Sequence, residues 1–145
     1  MGRFKTEGMS LAQLAALAIG VAYAAGGVIG FAVTGFGGFS SSGGGRTLLG
    51  LTLNPFQDLF HLIVGLGLLW AATRDSAITE GVLLGVGGVY VVAAITGLIY
   101  AHIPVLTITT AGNPDNYLHL ITGVTAMLAS VLSSAGTSRK RRAAY

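Results

Sequence analysis

Four apolar runs, each long enough to cross a bilayer, constrain this chain more than any other feature. A bilayer's hydrocarbon core is about 30 Å thick and is spanned by roughly 20 apolar helical residues. Runs of that length lie near residues 11–33, 55–72, 81–101 and 116–134. Once they are subtracted from 145 residues, only linkers and tails remain, and no soluble domain is expected. Only 9% of residues are charged against 52% hydrophobic, and the mean hydropathy of +0.75 exceeds that of soluble domains. The first run is too long for a cleaved signal and reads as a span. The expected fold is all-α, a four-helix transmembrane bundle in a single membrane domain spanning 1–145.

Charge placement gives the expected topology. Arg3 and Lys5 precede the first run, Arg74 lies between the second and third, and Arg139, Lys140, Arg141 and Arg142 follow the fourth. Only Arg46 falls on the other side. The positive-inside rule then predicts both termini in the cytoplasm, with the linkers Phe36 to Leu53 and His102 to Gly112 outside. The net charge of +3 is a topology signal, and the basic tail at 139–145 reads as an anchor on anionic lipid headgroups, with no nucleic acid as partner. There is no cysteine, which excludes disulfides, thiolate metal sites and cysteine nucleophiles.

The linkers differ in character. GFGGFSSSGGGRT is expected to be mobile, and its glycines carry no phosphate-loop pattern. HIPVLTITTAG alternates apolar and β-branched residues and predicts a short extended or interfacial segment. TRDSAITEG is short, so the second and third helices are expected as antiparallel neighbours, with Ser76 or Thr79 as cap and Glu80 near the positive helix end.

An internal repeat organises the rest. His61 aligns with His119 and Gly65 with Gly123 at an offset of 58, while Gly20 aligns with Gly87, Tyr23 with Tyr90 and Gly30 with Gly97 at 67. Each half is a two-helix hairpin. A half with an even number of spans enters the membrane in the same sense as its copy, so the repeat is parallel, with a pseudo-twofold axis along the membrane normal. Association in lipid depends on close packing, and the GxxxG pairs Gly26/Gly30 and Gly81/Gly85 are the expected packing residues, within the bundle or against another protein.

The second and fourth helices open alike, NPFQDLFHLIVG and NPDNYLHLITG. Asn54 and Asn113 read as caps before Pro55 and Pro114, because proline at the first helical position gives up an N–H that has no partner anyway. The histidines then lie roughly 10 Å below the caps at about 1.5 Å per residue. Polar groups at that depth turn inward and find partners. Three residues before each histidine stand Asp58 and Asn116; four before stand Gln57 and Asp115. All are expected to meet near the axis. Such a cluster admits three readings: a structural network that fixes helix register; a haem or metal ion held by His61 and His119, with Asp58 or Asp115 behind them; or proton and substrate handling from an outward cavity. Tyr23 and Tyr90 read as core packing residues with one hydrogen bond each, Trp70 as an interfacial aromatic, and His102 as solvated. No serine, histidine and acid set has a hydrolase's context, so no enzyme is expected.

These motifs, together with GVIGF, LLGLTLNPFQDLFHLIVGLGLL and GVYVVAAITGL, give a chain that resembles the small bacterial four-helix membrane proteins grouped as domain of unknown function 4383. The resemblance covers most of the sequence. It implies a four-helix fold in a bacterial inner membrane and recurring polar positions at Asn54, His61, Asp115, Asn116 and His119; Asp58 stands where an amide or another polar residue is expected. The family name assigns no activity. With no soluble domain and no catalytic set, the functional expectation is an accessory subunit docked on other integral membrane subunits, such as a respiratory or photosynthetic complex, without a cofactor. The alternative is a small haem- or metal-binding protein using His61 and His119.

Overall fold

A computed structural model describes residues 8–40, 46–100 and 102–143, with side chains left out for Thr137 and for 139–143. Arg3, Lys5, residues 41–45 of the Gly/Ser linker and the basic side chains of the tail lie outside the described residues. Four helices follow one another: α1 (Leu11–Thr34), α2 (Pro55–Ala72), α3 (Ser76–Tyr100) and α4 (Pro114–Ala143). All four are long and apolar enough to cross a membrane. The chain is a multi-pass integral membrane protein.

Local chemistry sets the helix limits. A capping box starts α1: Gln13 N–H donates to Ser10 Oγ at 3.2 Å and Ser10 N–H to Gln13 Oε1 at 2.8 Å. It ends at Gly35, whose φ of +66° suits glycine and whose N–H donates to Phe31 O at 2.9 Å. The orphan carbonyls of Val33 and Thr34 both accept from the Arg46 guanidinium. Arg46, the one basic residue on its side of the expected topology, is therefore a helix cap supplied from the linker. The same linker closes with a two-strand hairpin, β1 (Thr47–Leu48) against β2 (Leu51–Thr52), turning at Leu49 and Gly50 with φ of +52° and +85°.

Asn54 caps α2 as expected, accepting from Gln57 N–H at 2.8 Å, and Asn113 caps α4, accepting from Asp115 N–H at 2.9 Å. Both helices begin with proline. The expected start of α3 needs correction. α3 begins at Ser76 rather than Gly81, because Asp75 supplies the cap expected of Ser76 or Thr79: its Oδ1 accepts from Ile78 N–H at 3.1 Å. Thr79 instead donates to Ala71 O at 2.8 Å and Asp75 O at 3.0 Å. α4 begins at Pro114, where its asparagine cap and proline place it, and runs on past residue 134. Asp75→Ala is expected to lower stability by about 1 kcal/mol through loss of the cap, measured by helical circular dichroism during denaturation in detergent.

The helices pack as α1 on α2 and α3 on α4. Gln13 Nε2 reaches Arg74 O at 2.6 Å at one end and Thr34 meets Asp58 at the other, so α1 and α2 are antiparallel. Glu80, near the start of α3, accepts from Ser133 and Ser134 late in α4, each at 2.7 Å, so that pair is antiparallel too. Glu80 thereby ties two helices together beyond its expected role at a helix end.

Burial is the inverse of a soluble bundle. Val21, Val28, Ile63, Val92 and Ile121 are exposed, whereas Asn54, Asp58, Asp115 and Asn116 are fully buried. The apolar interior, built by Ala12, Ala16, Leu68, Leu83, Ala126 and Ala129, lies at the opposite end of the bundle from the polar side chains. Small residues bring backbones close. A Cβ on Gly20 would stand 3.0 Å from Gly65 O, and one on Gly87 would stand 2.8 Å from Gly123 O. Of the expected packing glycines, Gly30 is tightly covered within the bundle, whereas the positions of a Cβ on Gly26, Gly81 or Gly85 have nothing within 4 Å among the described residues, which leaves these three the other alternative, packing against another protein. The GxxxG spacing is right, but its phase points those three glycines away from the partner helix of their own hairpin.

Candidate functional site

The polar side chains gather where α2 and α4 begin. Gln57 Nε2 donates to Asp115 Oδ1 at 3.4 Å, and one turn further in, the His61 and His119 rings stand 6.2 Å apart between centroids. Since early residues meet early and later ones later, α2 and α4 run in the same sense. A short 3-10 turn, Pro104–Leu106, covers this end. Asn54 Nδ2 donates to Val105 O at 3.2 Å and Asn113 Nδ2 to Thr107 O at 3.0 Å, so each capping asparagine also ties down the cover.

Thr107 is the junction. Its hydroxyl lies 2.9 Å from Gln57 Oε1 and 3.3 Å from Asp115 Oδ2, bridging the two helix starts from a left-handed backbone position at φ +57°. The sequence reading missed it, because nothing in a β-branched linker marks which threonine turns inward.

Asp58 and Asn116 do not join the axis. Asp58 Oδ2 accepts from Thr34 Oγ1 at 2.7 Å and its carboxyl fills the space above Gly30, while Asn116 Nδ2 donates to Ala111 O at 3.0 Å and its carbonyl fills the space above Gly97. The expectation that all six side chains meet is corrected: Gln57, Asp115, His61 and His119 come together, and Asp58 and Asn116 each lock one hairpin. The reason is angular. At 3.6 residues per turn, neighbouring positions differ by about 100° around the helix, so positions three and four before a histidine flank it on opposite sides. Both oxygens of the pair that face glycine, Asp58 Oδ1 and Asn116 Oδ1, lack an N–H or O–H donor among the described residues.

Below this level the histidines meet the two tyrosines. Tyr23 and His61 rings lie 4.9 Å apart, Tyr90 and His119 5.2 Å, and Tyr23 and Tyr90 5.1 Å. Tyr23 is hydrogen-bonded as expected, its hydroxyl 2.9 Å from Thr122 Oγ1. Tyr90 is not. Its hydroxyl and His119 Nδ1 are buried without a hydrogen bond among the described residues. On the repeat offset of 58 expected from the sequence, Val64 would be the counterpart of Thr122, with a methyl in place of its hydroxyl.

Two clefts flank the four rings. One of about 280 Å³ lies between α2 and α3 beneath the 3-10 turn, against Gln57, His61, Tyr90 and His119; the other, of about 200 Å³, lies between α1 and α4 beneath the strands, against Tyr23, Gly26, Leu53 and His61. Among the described residues no three histidines or acids are grouped as a metal site. Trp70 is exposed with the Arg74 guanidinium 4.6 Å above its ring, and His102 is exposed.

Residues 13–132 match the family described as Domain of unknown function (DUF4383). Neither a curated protein nor a solved structure matches the chain.

Proposed function

The chain belongs to the DUF4383 family, whose description assigns no activity, and from that premise we propose a non-enzymatic accessory subunit that docks on a larger respiratory or photosynthetic complex in a bacterial inner membrane. Duplicated hairpins form the body, both termini are cytoplasmic, and the basic tail lies against anionic headgroups. The supporting observation is the outward row Gly81, Gly85 and Gly88 on α3: where each would carry a Cβ, nothing lies within 4 Å among the described residues. Glycines spaced four and three apart make a groove in which another membrane helix packs closely. The buried polar residues suit this role, since Thr34 with Asp58, and Gln57, Asp115 and Thr107 among themselves, bond across elements and tie the bundle together.

The test is purification in mild detergent. The chain is expected to retain a membrane partner that the double variant Gly81→Leu, Gly88→Leu loses, while helicity and melting of the purified variant stay unchanged because both positions are open. A wild-type protein that runs alone as a small bundle overturns the docking role. A haem or metal ion held by His61 and His119 is the second reading, favoured by the rings' 6.2 Å separation on two parallel helices. It requires a Soret band or stoichiometric metal in the purified protein, lost when both histidines become alanine.

A further inference from the structure

We propose that the cleft between α2 and α3 binds an uncharged isoprenoid lipid with an oxygen-bearing ring head, of the quinone class. The proposal does not rest on the docking role, although the lower part of the site reaches Gly85, which the docking row also uses.

Size and shape come first. A cavity of about 150 Å³ already accepts benzene, so the upper cleft of about 280 Å³ accommodates a substituted six-membered ring. It adjoins a second cavity of about 300 Å³ that shares Phe60, Val89 and Tyr90 and continues along Val64, Gly85 and Val86. Phe60 and Val89 are exposed at the rim, so the cleft opens sideways, toward lipid rather than toward water. A ring in the upper part and a branched apolar tail along the lower part fill this outline.

Charge decides the head. Among the described residues no lysine or arginine lines the upper cleft, so a phosphate has no counter-charge there; Asp115, bonded to Gln57, is engaged by Gln57 and Thr107, so a cation finds no free carboxylate. What the cleft does have is unmet hydrogen bonding behind its wall. Tyr90, 2% exposed, and His119, 3% exposed, line it with apolar surface, and their orphan hydroxyl and ring nitrogen are buried behind that surface. An unpaired buried polar group costs about 1–3 kcal/mol. A plain acyl tail leaves both unmet, whereas ring carbonyls or hydroxyls answer a hydroxyl donor and an imidazole nitrogen once these side chains turn toward the cleft. The opposite cleft lacks this incentive, because Tyr23 is already bonded to Thr122.

Gly85 gives a test that spares the fold. A Cβ there has nothing within 4 Å among the described residues, and Gly85 lines the lower cavity. Tyr90→Phe likewise removes a hydroxyl that makes no hydrogen bond of good geometry among the described residues. The purified full chain in detergent is titrated by calorimetry with a benzoquinone bearing a decyl tail, with phosphatidylcholine as the comparison ligand. Saturable binding of the quinone is expected, about tenfold weaker in Gly85→Leu and in Tyr90→Phe, a difference of roughly 1.4 kcal/mol each, and unchanged in Gly26→Leu on the opposite cleft. Absence of saturable quinone binding, saturable binding of phosphatidylcholine alone, or equal binding by Gly85→Leu and the wild type overturns the proposal. Because the titration needs no partner protein, failure of the docking role leaves its result unaffected.

Discussion

Gly27→Ala is expected to destabilise the bundle by about 1–3 kcal/mol, while Gly26→Ala, one residue away, leaves it unchanged or slightly more stable. A Cβ on Gly27 would stand 2.7 Å from both Asp58 O and Leu62 N. Those are backbone atoms of α2 and cannot rotate aside, so the helices must separate along the seam that also holds Gly20 and Gly65. Separation there shifts Asp58 from its place against Gly30 and stretches the bond from Thr34. The Gly26 position faces open space, and alanine there gains up to about 1 kcal/mol of helix propensity. Denaturation of the two variants in one detergent, followed by helical circular dichroism, reads the difference directly. Equal midpoints would mean that α1 and α2 do not approach as closely as described.

Asp115→Ala is expected to cost about 2–3 kcal/mol and to loosen the cover of the polar end. The carboxylate takes the Gln57 amide at 3.4 Å and lies 3.3 Å from the Thr107 hydroxyl, and all three side chains are buried. Removing it strands partners in a place that water does not reach freely, and each stranded group carries its own penalty. Asp115→Asn keeps the shape and one acceptor oxygen and is expected to recover most of the loss. Amide hydrogen exchange across 103–108 checks the second part: faster exchange in Asp115→Ala, near wild type in Asp115→Asn.

The helices and their partners were legible because each rests on a local signal. Length and apolarity gave four spans, asparagine followed by proline gave two starts, and matched spacing put His61 and His119 at one level. Where the reading failed, the determinant lay across the chain. Asp75 outcompeted Ser76 and Thr79 as a cap, a choice among adjacent polar residues that sequence does not rank. The phase of the glycines depends on which helix face meets a neighbour, so the spacing that marks Gly81 and Gly85 as a pair left open whether they pack within the bundle or against another protein. Asp58 and Asn116 were assigned to the axis from their distance to histidine along the chain, although the angle around the helix sends them to Gly30 and Gly97. Thr34 and Thr107 carried no signal at all, being single threonines at a helix end and in a linker.

The glycine seams and the two clefts have a mechanical consequence. Within each hairpin the backbones nearly touch, so each pair of helices acts as one stiff plate. Between the plates, contact comes from the polar network at one end, the alanine and leucine cluster at the other, and the four rings with the Tyr23–Thr122 hydrogen bond in the middle, with empty volume only in the clefts beside the rings. The ring column then acts as a pivot, and the softest deformation is a rocking of the two plates about it that widens one cleft as it narrows the other.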